Sequence, residues 1–315
     1  MYILGFDIGG TKCAVVTAQW DSANITILKK EKCSTDFSVS PEEMIKKLIA
    51  MADSILEKKP DAIGISCGGP LDSNRGIIMS PPNLPGWDHV TIVEQVEQHY
   101  SVPVKLQNDA NACAVAEWKF GAGKGKRNMV FLTFGTGLGA GLILNGKLYS
   151  GTNDNAGELG HIRLSDFGPV GFGKSGSFEG FCSGNGIAQY GYIKALEKVQ
   201  QGEYPMYFKK GYTLSDITAK TVADAAHEGD TTALDVYRTC GAYLGKGLSI
   251  VIDLLNPELI VIGSIFSRSR DLLWDAAKKE IEKETLQLSA SCCKVVPAVL
   301  GEQIGDYAAI AAALS

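Results

Sequence analysis

Two glycine-rich turns and two carboxylates, Asp7 and Asp109, are the groups in this 315-residue chain best suited to phosphate chemistry. The first turn is Asp7-Ile8-Gly9-Gly10-Thr11-Lys12, between the apolar runs Tyr2–Asp7 and Cys13–Thr17. Glycine permits positive φ and close approach to a ligand, so exposed N–H groups can cradle phosphate oxygens. A carboxylate beside such a turn suits the orientation of a hydrated Mg2+. Lys12 reads equally as a phosphate contact or as a solvated turn lysine. The second turn, Gly135-Thr136-Gly137, joins Arg127–Phe134 to Leu138–Leu144 in the same manner.

Asp109 lies in Leu106-Gln-Asn-Asp-Ala-Asn-Ala, where a short strand, Val102–Leu106, runs into a helix with an apolar face of Ala112, Val115, Ala116 and Trp118. Asn108 and Asp109 both suit the helix cap. A carboxylate there stands at the carboxyl end of a strand and the positive end of a helix, where open α/β sheets bind ligands. The plainer reading of Asp109 is an N-cap and nothing more. Its company favours chemistry: two glycine turns, Gly157-Glu158-Leu159-Gly160-His161, and Asn83-Leu84-Pro85-Gly86-Trp87. The prolines around Asn83 exclude helix or central strand and hold Asn83 and Trp87 in fixed directions, as a binding loop or as a rigid surface turn.

The positioning elements follow from periodicity. Ile25–Lys30 completes an N-terminal meander, and Pro41–Glu57 is a helix capped by Ser40. Asp61–Ser66 is a buried strand and Val90–Tyr100 a short helix. In the second half, residues 147–149 supply a third strand. Gly184–Gln200, Ser215–Glu228, Asp230–Leu255 and Arg268–Glu284 read as helices, Glu258–Gly263 and Lys294–Val299 as strands, and Asp306–Leu314 as a small-residue helix packing back on the first domain. The repeat of strand, Gly/Thr turn, strand suggests two similar halves facing each other across a cleft. A dinucleotide-binding GxGxxG lies between strand and helix, and neither turn leads into a helix, which excludes that reading.

Composition narrows the class. The chain is 45% apolar and 21% charged, with a net charge of −5, which suits a two-domain globular protein and opposes a nucleic-acid or anionic-membrane partner. Met1–Gly10 lacks the pattern of a signal peptide, and no apolar segment approaches about 18 residues. The eight cysteines are scattered without CxxC spacing and read as reduced thiols of a cytoplasmic protein, with Cys292-Cys293 as strand packing.

With Asp7–Lys12, Asn83–Trp87, Asn108–Ala112, Gly135–Gly139, Gly157–His161 and Asn256–Gly263 in this order, the chain resembles, nearly end to end, the ROK family of sugar kinases, which includes bacterial glucokinases and N-acetylhexosamine kinases. The resemblance implies an α/β, actin-like ATPase (ribonuclease H-like) fold with two lobes whose mixed sheets flank a cleft. Residues 1–118 plus 300–315 would form a sugar- and phosphate-binding lobe, and 119–299 a nucleotide-binding, dimerising lobe. Asp109 would be the general base. Gly69, Asn83, Asn108, Asp109, Glu158, His161 and Glu179 would bind sugar. Asp7 would orient Mg2+ through water, while Gly9, Gly10, Thr11, Lys12, Thr136, Gly137 and Gly263 would contact ATP. A homodimer that closes on its sugar is expected, without nucleic acid or membrane.

Two stretches depart from the family pattern. A structural zinc site would need His161 and three cysteines, but the matching segment is Val170-Gly-Phe-Gly-Lys-Ser-Gly-Ser177. One histidine cannot assemble four-coordinate zinc, so no structural zinc is expected, and Phe167, Phe172, Phe178 and Phe181 are expected to pack this loop. At Gly263-Ser264-Ile265-Phe266 the bulk of Ile265 and Phe266 is expected to narrow the nucleotide pocket. Glucose is the expected acceptor, with N-acetylmannosamine, N-acetylglucosamine, fructose or allose as alternatives. A non-catalytic, sugar-binding ROK-type regulator is the reading from another class. The acidic charge and a chain that starts directly at the phosphate turn oppose the DNA-binding form of it.

Overall fold

A computed structural model describes residues 1–22 and 24–315. The chain forms two compact units, Met1–Arg127 with Gly141–Ala156 and Val299–Ser315, and Asn128–Ala140 with Gly157–Ala298. The expected boundary after residue 118 thus lies after 127, and 141–156 belong to the first unit. Packing is the reason. A Cβ on Gly141 would come within 2.5 Å of the Ala114 side chain and 2.6 Å of the Ala110 carbonyl, so this stretch lies directly on the helix that begins at Asp109.

In the first unit, β1 (Tyr2–Ile8), β2 (Lys12–Trp20) and β3 (Ile25–Ser34) form an antiparallel meander. Ser40 and Glu43 cap α1 (Pro41–Ile55) reciprocally. The crossover through α1 returns as β4 (Ala62–Cys67), parallel to β1. A small hairpin, β5 (Leu71–Asp72) with β6 (Ile77–Ile78), and then α2 (Ile92–Tyr100) lead to β7 (Val104–Asn108), parallel to β4. Tight turns give antiparallel neighbours and helical crossovers give parallel ones, hence the mixed order β3-β2-β1-β4-β7. Directly after β7 comes α3 (Asp109–Phe120), buried on all sides from Ala110 to Glu117 and not along one face only.

The second unit holds β8 (Met129–Phe134) and the start of β9 (Leu138–Leu144). The far half of β9 pairs with β10 (Lys147–Tyr149) inside the first unit. A short hairpin, β11 (Val170–Gly171) with β12 (Lys174–Ser175), precedes α4 (Phe178–Phe181), α5 (Gly184–Gln200), α6 (Ala219–His227) and the long α7 (Thr231–Leu255). Then follow β13 (Leu259–Ile262), α8 (Ile265–Arg268), α9 (Arg270–Glu284), α10 (Gln287–Cys292) and β14 (Lys294–Pro297), with β13 parallel to both β8 and β14. Finally α11 (Ile304–Ala312) rejoins the first unit.

The first unit's sheet is covered on both faces. Met44, Ile45 and Leu48 of α1 join Leu4, Phe6 and Val15 in one cluster; Ala309 and Ile310 of α11 join Ile3 and Val16 in another. At Gly64 a Cβ would stand 2.1 Å from the Ala309 carbonyl oxygen, so only glycine lets α11 lie this close to the sheet. α11 also packs on α3, which explains why α3 is alanine-rich and buried from Ala110 to Glu117.

Three local expectations fail. Phe178 and Phe181 are buried, but Phe167 and Phe172 are 77% and 74% exposed: the hairpin around them is too short to cover its own side chains. Cys292 is exposed at the end of α10, and Cys293 precedes β14 instead of packing within a strand. All eight cysteines are unpaired. The helix expected over Ser215–Glu228 begins at Ala219, where the Thr218 side chain caps it. Among the described residues no helix is long and apolar enough to cross a membrane.

Candidate active site

Both glycine turns have most of their carbonyls taken by protein donors and N–H groups left over. In the first, the Gly9 N–H donates to the Lys12 carbonyl (3.2 Å), the Thr35 hydroxyl to the Gly9 carbonyl (2.6 Å), and the Thr35 N–H to the Thr11 carbonyl (3.1 Å). In the second, the Gly135 N–H donates to the Gly137 carbonyl (3.1 Å). There the Gly184 and Asn185 N–H groups, at the start of α5, donate to the carbonyls of Gly135 (2.7 Å) and Thr136 (3.4 Å). Among the described residues no protein acceptor meets the N–H of Gly10, Thr11, Thr136 or Gly137. Turns of this kind bind anions through the free N–H groups.

Around the first turn the unit gathers most of its expected site. Asn108 caps α3, its side-chain oxygen accepting from the N–H groups of Ala110 (3.0 Å) and Asn111 (3.3 Å). Asp109 is therefore not needed as the cap. Its Oδ1 also accepts from the Ala110 N–H (2.8 Å), while its side chain remains solvent-accessible. Surrounding protein crowds that carboxylate and raises its pKa, opposed by its backbone N–H bonds. A Cβ on Gly69 would lie 3.1 Å from Asn108 Nδ2, one on Gly68 3.1 Å from Asn83 Nδ2, and one on Gly10 only 2.4 Å from the Asn83 carbonyl oxygen. Gly10, Gly69, Asn83 and Asn108 are thus brought together, and at Gly10 only glycine allows the Asn83 backbone so near.

Asp7 ends β1 beside this cluster. Its pKa is raised to about 6, first by burial, then by the charges of Asp109 and Asp306, against the opposing pull of Lys12 and Lys30. Asp306 is itself buried and ion-paired to Lys30 at 2.6 Å. A Cβ on Gly305 would come within 2.7 Å of Asp7 Oδ2. Asp306, Lys30 and Thr35 escaped sequence reasoning. Their only local sign was Gly305-Asp306 at the start of the last helix.

The second unit gathers the rest. Glu179, in the first turn of α4, accepts the Leu138 N–H through Oε2 (3.0 Å), and the same oxygen would lie 2.7 Å from a Cβ on Gly137. Glu179 therefore touches the phosphate-type turn as well as being a sugar-facing candidate. Glu158 and His161 are exposed on either side of Gly160. A Cβ on Gly160 would meet the Leu138 carbonyl at 2.1 Å and the Glu179 side chain at 3.3 Å, which holds this segment against β9 and α4. The His161 ring lies edge-on to Phe172 at 6.1 Å, and its carbonyl accepts from Lys174 (2.7 Å).

Gly263 donates its N–H to the Leu132 carbonyl (3.0 Å), and Ser264 follows at φ +50. Its hydroxyl would be 3.8 Å from a Cβ on Gly135, which brings this segment to the second turn. Phe266 does not narrow any nucleotide site. It is fully buried against Trp274, edge-on at 6.2 Å, because Ser264 turns the chain into α8 and aims the ring inward. Ile265 instead packs at the start of α5, its Cδ1 3.4 Å from a Cβ on Gly184, whose N–H holds the Gly135 carbonyl.

Comparison with known proteins gives one consistent result. The profile of the ROK family matches residues 3–314. The chain is 31% identical over 312 residues to a glucokinase of Streptomyces coelicolor, covering 98% of this chain and 95% of that one. It is similar in structure to a ROK family glucokinase from Streptomyces griseus in complex with glucose and AMPPNP, with a TM-score of 0.78, 30% identity, and 99% and 98% of the two chains covered. It is also 25% identical to a xylose repressor of Bacillus spizizenii, over 96% of this chain and 74% of the repressor.

Proposed function

The chain belongs to the ROK family, and from that premise we propose that it transfers the γ-phosphoryl group of ATP to a hydroxyl of glucose, with Asp109 as general base. The α/β fold is that of the actin-like ATPases, and the enzyme class is sugar kinase. The observation that supports Asp109 best is its freedom: Asn108 takes over the cap and leaves an accessible carboxylate with a raised pKa at the positive end of α3. In the reaction the sugar oxygen attacks phosphorus and its proton passes to Asp109. Transfer occurs late, as the hydroxyl loses electron density, so position counts for more than basicity.

The free N–H groups of Gly10, Thr11, Thr136 and Gly137 are the proposed phosphate contacts, with Gly9, Lys12 and Gly263 shaping the two turns. Gly69, Asn83 and Asn108 in the first unit, and Glu158, His161 and Glu179 in the second, are the proposed partners of the sugar hydroxyls. Directional acceptors suit a polyol because each desolvated hydroxyl left unpaired costs about 1–3 kcal/mol. A hydrated Mg2+ uses one or two carboxylates plus substrate phosphates, and Asp7, at the end of β1 within the influence of Asp109 and Asp306, is the proposed carboxylate to orient it. When bound, Mg2+ neutralises charge on the transferring phosphates.

Leu254, Leu286 and Leu288 are exposed on the second unit and support self-association as a homodimer. Unpaired thiols, five of them buried, suit the cytoplasm. The deciding experiment is ADP release with ATP and Mg2+ against glucose, N-acetylmannosamine, N-acetylglucosamine, fructose and allose. Turnover with glucose far above the others is expected, and Asp109→Asn should keep sugar binding while lowering kcat by orders of magnitude. An unchanged kcat would remove Asp109 from the mechanism. The likeness to the xylose repressor favours a second reading, a sugar-binding regulator. Thermal stabilisation by a sugar without any ADP release would select it.

A further inference from the structure

Apart from the residues assigned above, the first unit holds a cavity of about 910 Å3. It lies against β7, which ends the sheet order and among the described residues pairs with β4 alone, an outer edge without a strand partner. The β5–β6 turn, α2, the end of α3 and the β9–β10 turn supply the other walls. In a protein of net charge −5, the ionisable lining is reversed: Arg75, Lys105, Lys119 and Lys147 against Glu94 and Glu97. Both carboxylates have neighbours of their own, Glu94 accepting from Gln98 (3.3 Å) and Glu97 from the Val104 N–H (3.4 Å).

The four cations differ in company. Arg75 reaches Asp72 only at 3.9 Å and Lys119 lies 4.9 Å over the Trp118 ring, whereas Lys105 is held by a terminal oxygen of Ser315. Among the described residues Lys147 has no ion pair. Burial and the charge of Lys105 both lower the pKa of Lys119, as expected of an ammonium group partly desolvated beside a like charge. Trp118 adds an apolar surface whose one polar group is already satisfied, its indole N–H donating to the Lys126 carbonyl (2.7 Å).

We propose that this cavity is an effector site for a small organic molecule carrying two phosphates on a sugar or a nucleoside. Two phosphate groups bring a charge of about −3 to −4 at pH 7, which suits a lining whose four cations outnumber its two side-chain carboxylates. The volume falls within the range of about 300–1,000 Å3 usual for small ligands. The site has a direct route to the chemistry. β7 contributes its edge to the cavity and ends at Asn108; α3 contributes Trp118 and Lys119 and begins at Asp109. The effect on turnover rests on the proposed kinase reaction, whereas binding does not.

The test is equilibrium titration calorimetry of the full chain with fructose 1,6-bisphosphate and, separately, with ADP. Wild type, Lys119→Ala/Lys147→Ala and Asp109→Asn are compared, with thermal unfolding as the check of folding. Fructose 1,6-bisphosphate binding to one site, weakened at least tenfold in the lysine variant and kept in Asp109→Asn saturated with glucose and ATP, supports a site for sugar bisphosphates. A second ADP site lost only in the lysine variant supports a nucleotide instead. Turnover of the lysine variant without added bisphosphate stays at the wild-type level. Absence of binding by both probes outside the ATP site, or binding undiminished in the lysine variant, overturns the proposal. Because calorimetry needs no turnover, failure of the glucose assignment leaves this result decisive.

Discussion

The Leu138 N–H donates to Glu179 Oε2 at 3.0 Å, so a residue on the short helix α4 directly holds the strand that leaves the second glycine turn. Removing that acceptor strands an N–H beside Gly137, a loss of about 1–3 kcal/mol. Glu179→Ala should therefore raise KM for ATP as well as for the sugar. Glu179→Gln, which retains an acceptor oxygen, should spare the ATP term more than the sugar term. Initial rates over a grid of both substrates measure this. A change confined to the sugar would make the link incidental.

Gly10 has no room for a methyl group, since a Cβ would sit 2.4 Å from the Asn83 carbonyl. Gly10→Ala should push apart the turn and the Asn83 loop and raise KM for ATP about tenfold, ~1.4 kcal/mol. Circular dichroism melts should show the fold intact. Unaltered KM values would mean that this turn does not meet phosphate.

Glu117 is a fully buried carboxylate in α3. It accepts N–H bonds from Val299 and Leu300 (2.9 Å each) through Oε1 and from Ala122 (2.8 Å) through Oε2. It thereby ties the segments on both sides of the excursion into the second unit to one helix. Glu117→Gln turns one acceptor into a donor facing an N–H, and should cost about 1–3 kcal/mol. A fall in the urea midpoint with constant m measures it. No fall would mean that the segments rearrange without penalty.

Asp7 titrates near 6 in the folded chain against 3.8 ordinarily. Between these values the folded state binds more protons than the unfolded one, so stability falls as pH rises from about 4 to about 6. Asp7→Asn should remove that part of the slope. Urea unfolding of both proteins at pH 4.5 and 6.5 tests it. Equal slopes would place the effect on other groups. In the proposed role of Asp7 the ionised carboxylate is the form that orients Mg2+, so activity has the opposite sense and the acid limb of kcat/KM should lie near pH 6.

Much of the site was legible because its signals are local. Gly9-Gly10-Thr11 and Gly135-Thr136-Gly137 determine their turns within a few residues, and Asn108 caps its own helix. The choice between Asn108 and Asp109 as cap was not legible, since both types suit it. It follows from the geometry of the β7–α3 junction, which gives Asn108 two N–H donors. The Phe residues show the same limit. Phe167, Phe172 and Phe266 are equally apolar in sequence, yet the first two are exposed and the third is buried, because burial depends on what the rest of the chain brings alongside.

Sequence alone determined the longer elements, the two glycine-rich turns and the family, since period, turn chemistry and caps act between near neighbours. Tertiary structure decided which groups share an environment. Asp306 reaches Asp7 across nearly the whole chain, Glu117 meets Val299 and Leu300 some 180 residues away, and 141–156 join the first unit. Such contacts depend on helices and strands packing on one sheet at close range, where a glycine or alanine at one position sets the distance for residues far away in sequence. No local pattern encodes that distance, so the raised pKa of Asp7 and the cationic cavity beside β7 exist only in the folded chain.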